Sequence, residues 1–207
     1  MAMKNVWLIV VLAALLMAGC AGGRQMATSY FLIEYPERLA EPSDTAVAVP
    51  GFGTNVFIAS VEVHPAYGSH QIVIREDTHQ INFFSFNEWA IRPSQSLQLI
   101  TDRYLREASW FNRVVSSPSD ALQGHSLVVR IHQMELVHQS RRFFTSMRYE
   151  FELTDRRSGH VVQSGMLESS RPLADKDLNL FAASIGELYL KDLENFLTEA
   201  YNHTRHD

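Results

Sequence analysis

Residues 143–154 read Phe143-Phe144-Thr145-Ser146-Met147-Arg148-Tyr149-Glu150-Phe151-Glu152-Leu153-Thr154. Phe143, Met147, Tyr149, Phe151 and Leu153 alternate with Ser146, Arg148, Glu150, Glu152 and Thr154. A period of two puts one set on each side of a strand, so this segment predicts a long strand with one buried and one wet face. A sheet wetted on one side is commonly antiparallel. Asp155-Arg156-Arg157-Ser158-Gly159 is hairpin-loop material and predicts a return strand over 161–168. Upstream, residues 126–137 predict the preceding strand. Leu127, Val129 and Ile131 share one phase, and Met134 and Leu136 share the other, which predicts a β-bulge between them.

Earlier strands are expected at 30–33, 55–64, 70–76 and 79–86, and a short one at 111–115. Pro65-Ala66-Tyr67-Gly68-Ser69 reads as a turn. Residues 37–54 read as a long loop, with an edge strand at 47–49. After Pro93 the period changes. Leu97, Ile100, Tyr104, Leu105, Ala108 and Phe111 fall three and four apart, predicting an amphipathic helix over 93–109, with Pro93 in its first turn. A second helix is expected over 176–202, striped by Leu178, Phe181, Ile185, Leu188, Tyr189, Phe196 and Ala200, with Glu187 and Lys191 as an i,i+4 ion pair. Grouped strands plus two helices predict a single α+β domain, a mainly antiparallel sheet with both amphipathic helices on one face.

The amino terminus carries a different signal. Lys4 precedes 13 apolar residues, Val6 to Ala18, then Gly19 and Cys20. As a helix that run is roughly 20 Å long, short of the ~30 Å hydrocarbon core of a bilayer. It fits a secretory leader instead. Leu16-Met17-Ala18-Gly19-Cys20 has the pattern of a bacterial lipoprotein signal, so residues 1–19 are expected to be cleaved and Cys20 to be the site of lipid attachment. Ala21, not Asp, follows Cys20, which favours sorting to the outer membrane. Residues 20–28 would be a lipidated tether and 29–203 the folded domain. Cys20 is the chain's only cysteine, so neither a disulfide nor a cysteine nucleophile is available to the domain.

The 207 residues are 46% hydrophobic and 20% charged, ordinary for a globular protein, with 18 Lys+Arg against 23 Asp+Glu. With a net charge of -5 and no run of three basic residues, the chain lacks the electrostatic footprint of a nucleic-acid binder. Nine histidines show no metal-ligand spacing; His203 and His206 sit beside the terminus. No G-x-S-x-G occurs, and Glu150 and Glu152 read as solvent-facing rather than as a glycosidase pair. No catalytic constellation, cofactor or metal site is expected, and the chain reads as a non-enzyme. Four aromatics stand out as candidate partner or ligand surface. Phe52 and Tyr67 lie in loops, where they either meet a ligand or anchor the loop. Trp89 lies between a strand and the first helix, where it either seals their junction or meets a partner. Phe144 falls on the polar side of its strand.

In order, the lipobox, Tyr30-Phe31-Leu32, the strand Phe57-Ile58-Ala59-Ser60-Val61-Glu62-Val63, Pro65-Ala66-Tyr67 and Gln71-Ile72-Val73-Ile74-Arg75 come first. His79-Gln80-Ile81 and Glu88-Trp89-Ala90-Ile91-Arg92-Pro93 follow, ahead of the amphipathic helix. This succession resembles the ABC-type transport auxiliary lipoproteins, the small lipoprotein partners of MCE-type lipid transport systems. The resemblance runs over roughly 28–202. Arg92 stands where the family commonly has Glu, and the 116–124 loop is individual to this chain. The resemblance implies a lipid-anchored component on the periplasmic face of the outer membrane, working with an MCE-domain protein and an inner-membrane permease and ATPase. The cargo implied is phospholipid or a similar hydrophobic molecule, with homo-oligomer and monomer both compatible. ATP would be spent elsewhere, since no G-x-x-x-x-G-K-[ST] loop is present. The alternative is an assembly lipoprotein of another outer-membrane machine, for lipopolysaccharide export or secretion. An apolar groove between the sheet and the last helix would point to lipid handling, and a polar surface with an aromatic patch to docking.

Overall fold

A computed structural model describes residues 27–36 and 51–205. Cys20, the leader and the expected strand at 47–49 lie outside them. The strands are β1 (Ser29–Phe31), β2 (Asn55–Val63), β3 (Gln71–Asp77), β4 (Gln80–Trp89), β5 (Arg113–Val115), β6 (His125–Gln139), β7 (Arg142–Asp155) and β8 (Val161–Leu173). The helices are α1 (Pro93–Glu107) and α2 (Leu178–Thr204). All eight strands form one mixed sheet, and the fold is α+β, as expected.

The long ladders are antiparallel. β7 pairs with β6 from His125↔Asp155 to Gln139↔Arg142 and with β8 from Phe143↔Leu173 to Thr154↔Val161. The predicted bulge is present, as a register shift between Ile131 and Gln133. β8 runs on to Leu173, five residues past its expected end, because β7 supplies partners that far; the alternation itself stops near Glu168.

The opposite edge of β6 holds the fold's less obvious feature. β2 pairs parallel with its first half, from Val56↔His125 to Val63↔Ile131. β3 pairs parallel with its second half, at Ile74↔Leu136 and Arg75↔Val137. Both strands therefore run end to end along β6, and the Pro65–Ser69 turn is an excursion between them instead of a reversal. The bulge in β6 lies opposite that excursion. β3 then pairs antiparallel with β4, and the short strands β1 and β5 add parallel to β4 and β2.

Pro93 occupies the first turn of α1; Ser109, with φ of 55°, follows its C-cap Ala108. At the start of α2 the Asp177 carboxylate accepts the Asn179 N–H at 2.7 Å, a common N-cap arrangement. Phe181, Ile185, Tyr189, Leu193, Phe196 and Leu197 of α2 pack into a continuous core with Tyr149, Phe151 and Leu153 of β7 and Leu97, Ile100 and Leu105 of α1. The expected Glu187–Lys191 pair gives way to a tertiary one: the Glu187 carboxylate accepts from Arg171 of β8. Gly186 lets the β1 segment approach, since a Cβ there would stand 2.7 Å from the Glu34 carbonyl oxygen.

Candidate docking surface

The helices cover one face of the sheet and leave the other bare. On β7 the helix-facing residues Thr145, Met147, Tyr149, Phe151 and Leu153 are buried, while Ser146, Arg148, Glu150 and Glu152 point away. The bare face is threaded by ion pairs between neighbouring strands. The Arg130 guanidinium lies 3.3 Å from both Glu150 and Glu152, and Arg148 lies 3.6 Å from Glu168. These are exposed or half-exposed pairs, each contributing little to stability. Their contribution is to keep a broad sheet face soluble and charged on both signs.

One carboxylate breaks the pattern. Glu135 points to the bare face, opposite Ser146, yet its side chain is 0% exposed. The β2–β3 excursion folds over it. The Tyr67 hydroxyl donates to Glu135 Oε2 at 3.0 Å, Arg75 donates through Nε and Nη2, and Gln133 donates to Oε1 at 2.7 Å. Burial and then the Glu135 charge raise the Tyr67 pKa, so the phenol stays a donor. With both oxygens occupied, Glu135 has no vacant position from which to hold an ion. The cluster ties the β2–β3 excursion to β6; it is a staple, with no reactive geometry.

The four candidate aromatics scatter accordingly. Tyr67 (7% exposed) and Trp89 (2%) are buried and present no surface. Trp89 ends β4 and packs against Phe181 of α2, ring centroids 5.9 Å apart, which seals the sheet to the last helix. Phe52 is half-buried, stacked on Phe111 at 4.9 Å and edge-on to Tyr201 at 5.7 Å, so it anchors its loop to the end of α2. Phe144 alone lies on the bare face, half-buried between Val137 and Pro172 on the neighbouring strands. It makes an apolar rung beside the charged ones.

Shallow grooves mark the surface of the described residues, and two of them lie beside the helices. One, of about 450 Å³, runs between Leu32, Tyr35 and Pro36 and the Asn179–Glu187 side of α2. Burial pushes the pKa of Tyr35 up to about 12, helped by Glu107. The other, of about 530 Å³, lies between α1 and the β5 edge, floored by Phe57, Ile58, Ile91, Leu99 and Val114 and rimmed by Gln95, Gln98 and Asp102. Sequence reasoning missed it, because its floor is assembled from four separate segments. Among the described residues no cluster of three or more metal-ligating side chains occurs. No helix among them is long and apolar enough to cross a membrane.

Proteins of known structure share this architecture. A protein of known structure from Xanthomonas campestris, placed in family DUF330, superposes with a TM-score of 0.68 at 14% identity over 87% of this chain and 97% of its own. An uncharacterized protein of known structure superposes with a TM-score of 0.66 at 12% identity, covering 84% of this chain and 98% of its own. At such identities the likeness concerns the fold alone. No curated protein matches by sequence. The family model of the ABC-type transport auxiliary lipoprotein component matches residues 38–188, and the chain therefore belongs to that family.

Proposed function

We propose that the protein is a non-catalytic docking component of an MCE-type transport system, held by acylated Cys20 on the periplasmic face of the outer membrane. The observation that carries this is the pairing of family membership over 38–188 with the Leu16–Cys20 lipoprotein signal. The domain, residues 29–203, hangs from a tether of residues 20–28. Two or three acyl chains hold a protein to a membrane where one would not. The anchor confines the domain to one surface and raises its effective concentration near a partner that reaches across the periplasm. That partner is an MCE-domain protein joined to an inner-membrane permease and ATPase, and the cargo is phospholipid or a similar hydrophobic molecule.

Docking is favoured over lipid carriage by the core. Between β7 and α2 the space is filled by Tyr149, Phe151, Phe181, Ile185, Tyr189 and Phe196, which leaves no room for an acyl chain in the core; the groove between Leu32–Pro36 and α2 lies at the surface. The bare face, charged and carrying the Phe144 rung, is the kind of polar surface that selects a partner by charge placement. The test is capture of the acylated protein by a C-terminal tag from gently solubilised membranes, followed by mass spectrometry. Recovery of an MCE-domain protein with its permease and ATPase is expected. Recovery of a lipopolysaccharide-export or secretion component instead, with crosslinking also failing to find an MCE protein, would overturn the reading.

A further inference from the structure

The tether enters the fold at β1, and the surface there is unusual for this domain. Tyr30 is 64% exposed, Leu32 40% and Phe86 45%. Tyr30 and Leu32 lie two residues apart in and just after β1, and Phe86 lies on β4, the strand paired with β1. β1 is an edge strand paired parallel with β4, Tyr30 lies beside Glu88, and Phe86 is two residues before Glu88 on the same strand. Three large apolar side chains at one sheet edge form a patch that water disfavours and that an interface between water and hydrocarbon accepts, tyrosine above all.

The chain outside the structure says what covers it. Tyr30 comes ten positions after Cys20, and at 3.3–3.6 Å per residue it stays within roughly 35 Å of the acylated cysteine in any conformation. The β1 segment is thus the part of the domain nearest in chain to the anchor. The acidic neighbours Glu34 and Glu88 limit the depth and disfavour anionic headgroups. From this edge we infer that Tyr30, Leu32 and Phe86 rest on the leaflet that holds the acyl chains, with zwitterionic headgroups as the surface recognised, so that the domain is oriented and does not swing freely on its tether. The inference rests on Cys20 being the lipid anchor.

The experiment uses the full-length acylated protein in phosphatidylethanolamine–phosphatidylcholine vesicles whose acyl chains carry bromine, a quencher of tryptophan. Trp89 and Trp110 are buried and give the background. Tyr30→Trp places a reporter on the patch. Leu122→Trp places one at another exposed position, about ten residues of β6 away, roughly 30 Å at 3.3 Å per residue. Above background, bromine should quench the Tyr30→Trp signal at least twofold more than the Leu122→Trp signal, with no gain on adding phosphatidylglycerol. Equal quenching, with mass spectrometry confirming acylated Cys20, overturns the oriented contact and leaves the anchor standing. Emission from Tyr30→Trp that responds to protein density and not to bromine also overturns it, since a second copy then covers the patch. Absence of acylation overturns the anchor and the inference together.

Discussion

Strand β7 presents two faces built from one stretch of chain, and they obey different rules. Toward the helices, Met147, Tyr149, Phe151 and Leu153 are sealed from water, and even the polar groups there are matched. The Tyr149 hydroxyl donates to Asp192 of α2, and Thr145 is hydrogen-bonded to Ser184. Burial, reinforced by Asp192, raises the Tyr149 pKa far above its ordinary value, keeping it a donor. Away from the helices, Arg148, Glu150 and Glu152 exchange charges with neighbouring strands in partial contact with water. The contrast separates what holds the fold from what is free to meet a partner. Apolar burial scales with area removed from water, whereas a half-exposed ion pair gains little over its hydrated state. Glu135 is the instructive exception: it belongs to the wet face by register and to the interior by burial.

The largest expected effect tests the helix-covered face. Phe151→Ala removes a ring held between Tyr149, Tyr189 and Phe196 and should cost about 4 kcal/mol, read as a lowered urea midpoint. Glu135→Ala should come next, at about 2–3 kcal/mol. It strips Arg75 and Tyr67 of their acceptor, tempered because the Arg75 side chain is 26% exposed and can reach water. A cost below 0.5 kcal/mol would show that the β2–β3 excursion is held by other contacts.

A third prediction concerns pH. His125 is buried beside Phe52 and Phe111, with Nδ1 hydrogen-bonded to Thr54 Oγ1 at 2.8 Å. Burial lowers its pKa, and Asp155 offsets this only in part. The unfolded chain then binds the proton more readily than the native one, so this contribution is complete above about pH 6.5 and is lost as pH falls below it. Stability measured from pH 7.5 to 5.5 should decline, and His125→Gln should flatten that slope. The smallest effect is on the bare face. Glu152→Gln should change stability by less than about 0.5 kcal/mol at moderate salt, while a measurable loss of captured partner would mark this rung as part of the docking surface.

Much of this fold is legible in the chain because its strongest signals are periodic and local. The two-residue alternation of 143–154, the change of phase at 131–134 and the spacing of the apolar residues after Pro93 correspond to β7, the β6 bulge and α1. The Asp155–Gly159 hairpin loop closes with Gly159 at φ of 74°, as a left-handed loop position asks. The other hairpin, at Ser140-Arg141, carries φ values of 51° and 62° on residues that are not glycine. That reversal follows from the ladder on both sides and not from turn chemistry.

The candidate aromatics were less legible. Tyr67 and Trp89 have the same local appearance whether they face water or the core, and only the excursion over Glu135 and the docking of α2 on β4 settle the matter. By itself the sequence determined the strand and helix content and the bulge, since each depends on residues within one turn or one strand of each other. The tertiary structure decided that β2 and β3 lie end to end along β6, that Glu187 pairs with Arg171 and not Lys191, and that Glu135 is buried. Those outcomes depend on partners 16 to 69 residues away, and a hydrogen-bonding edge or a charge carries no local mark of which distant group will satisfy it.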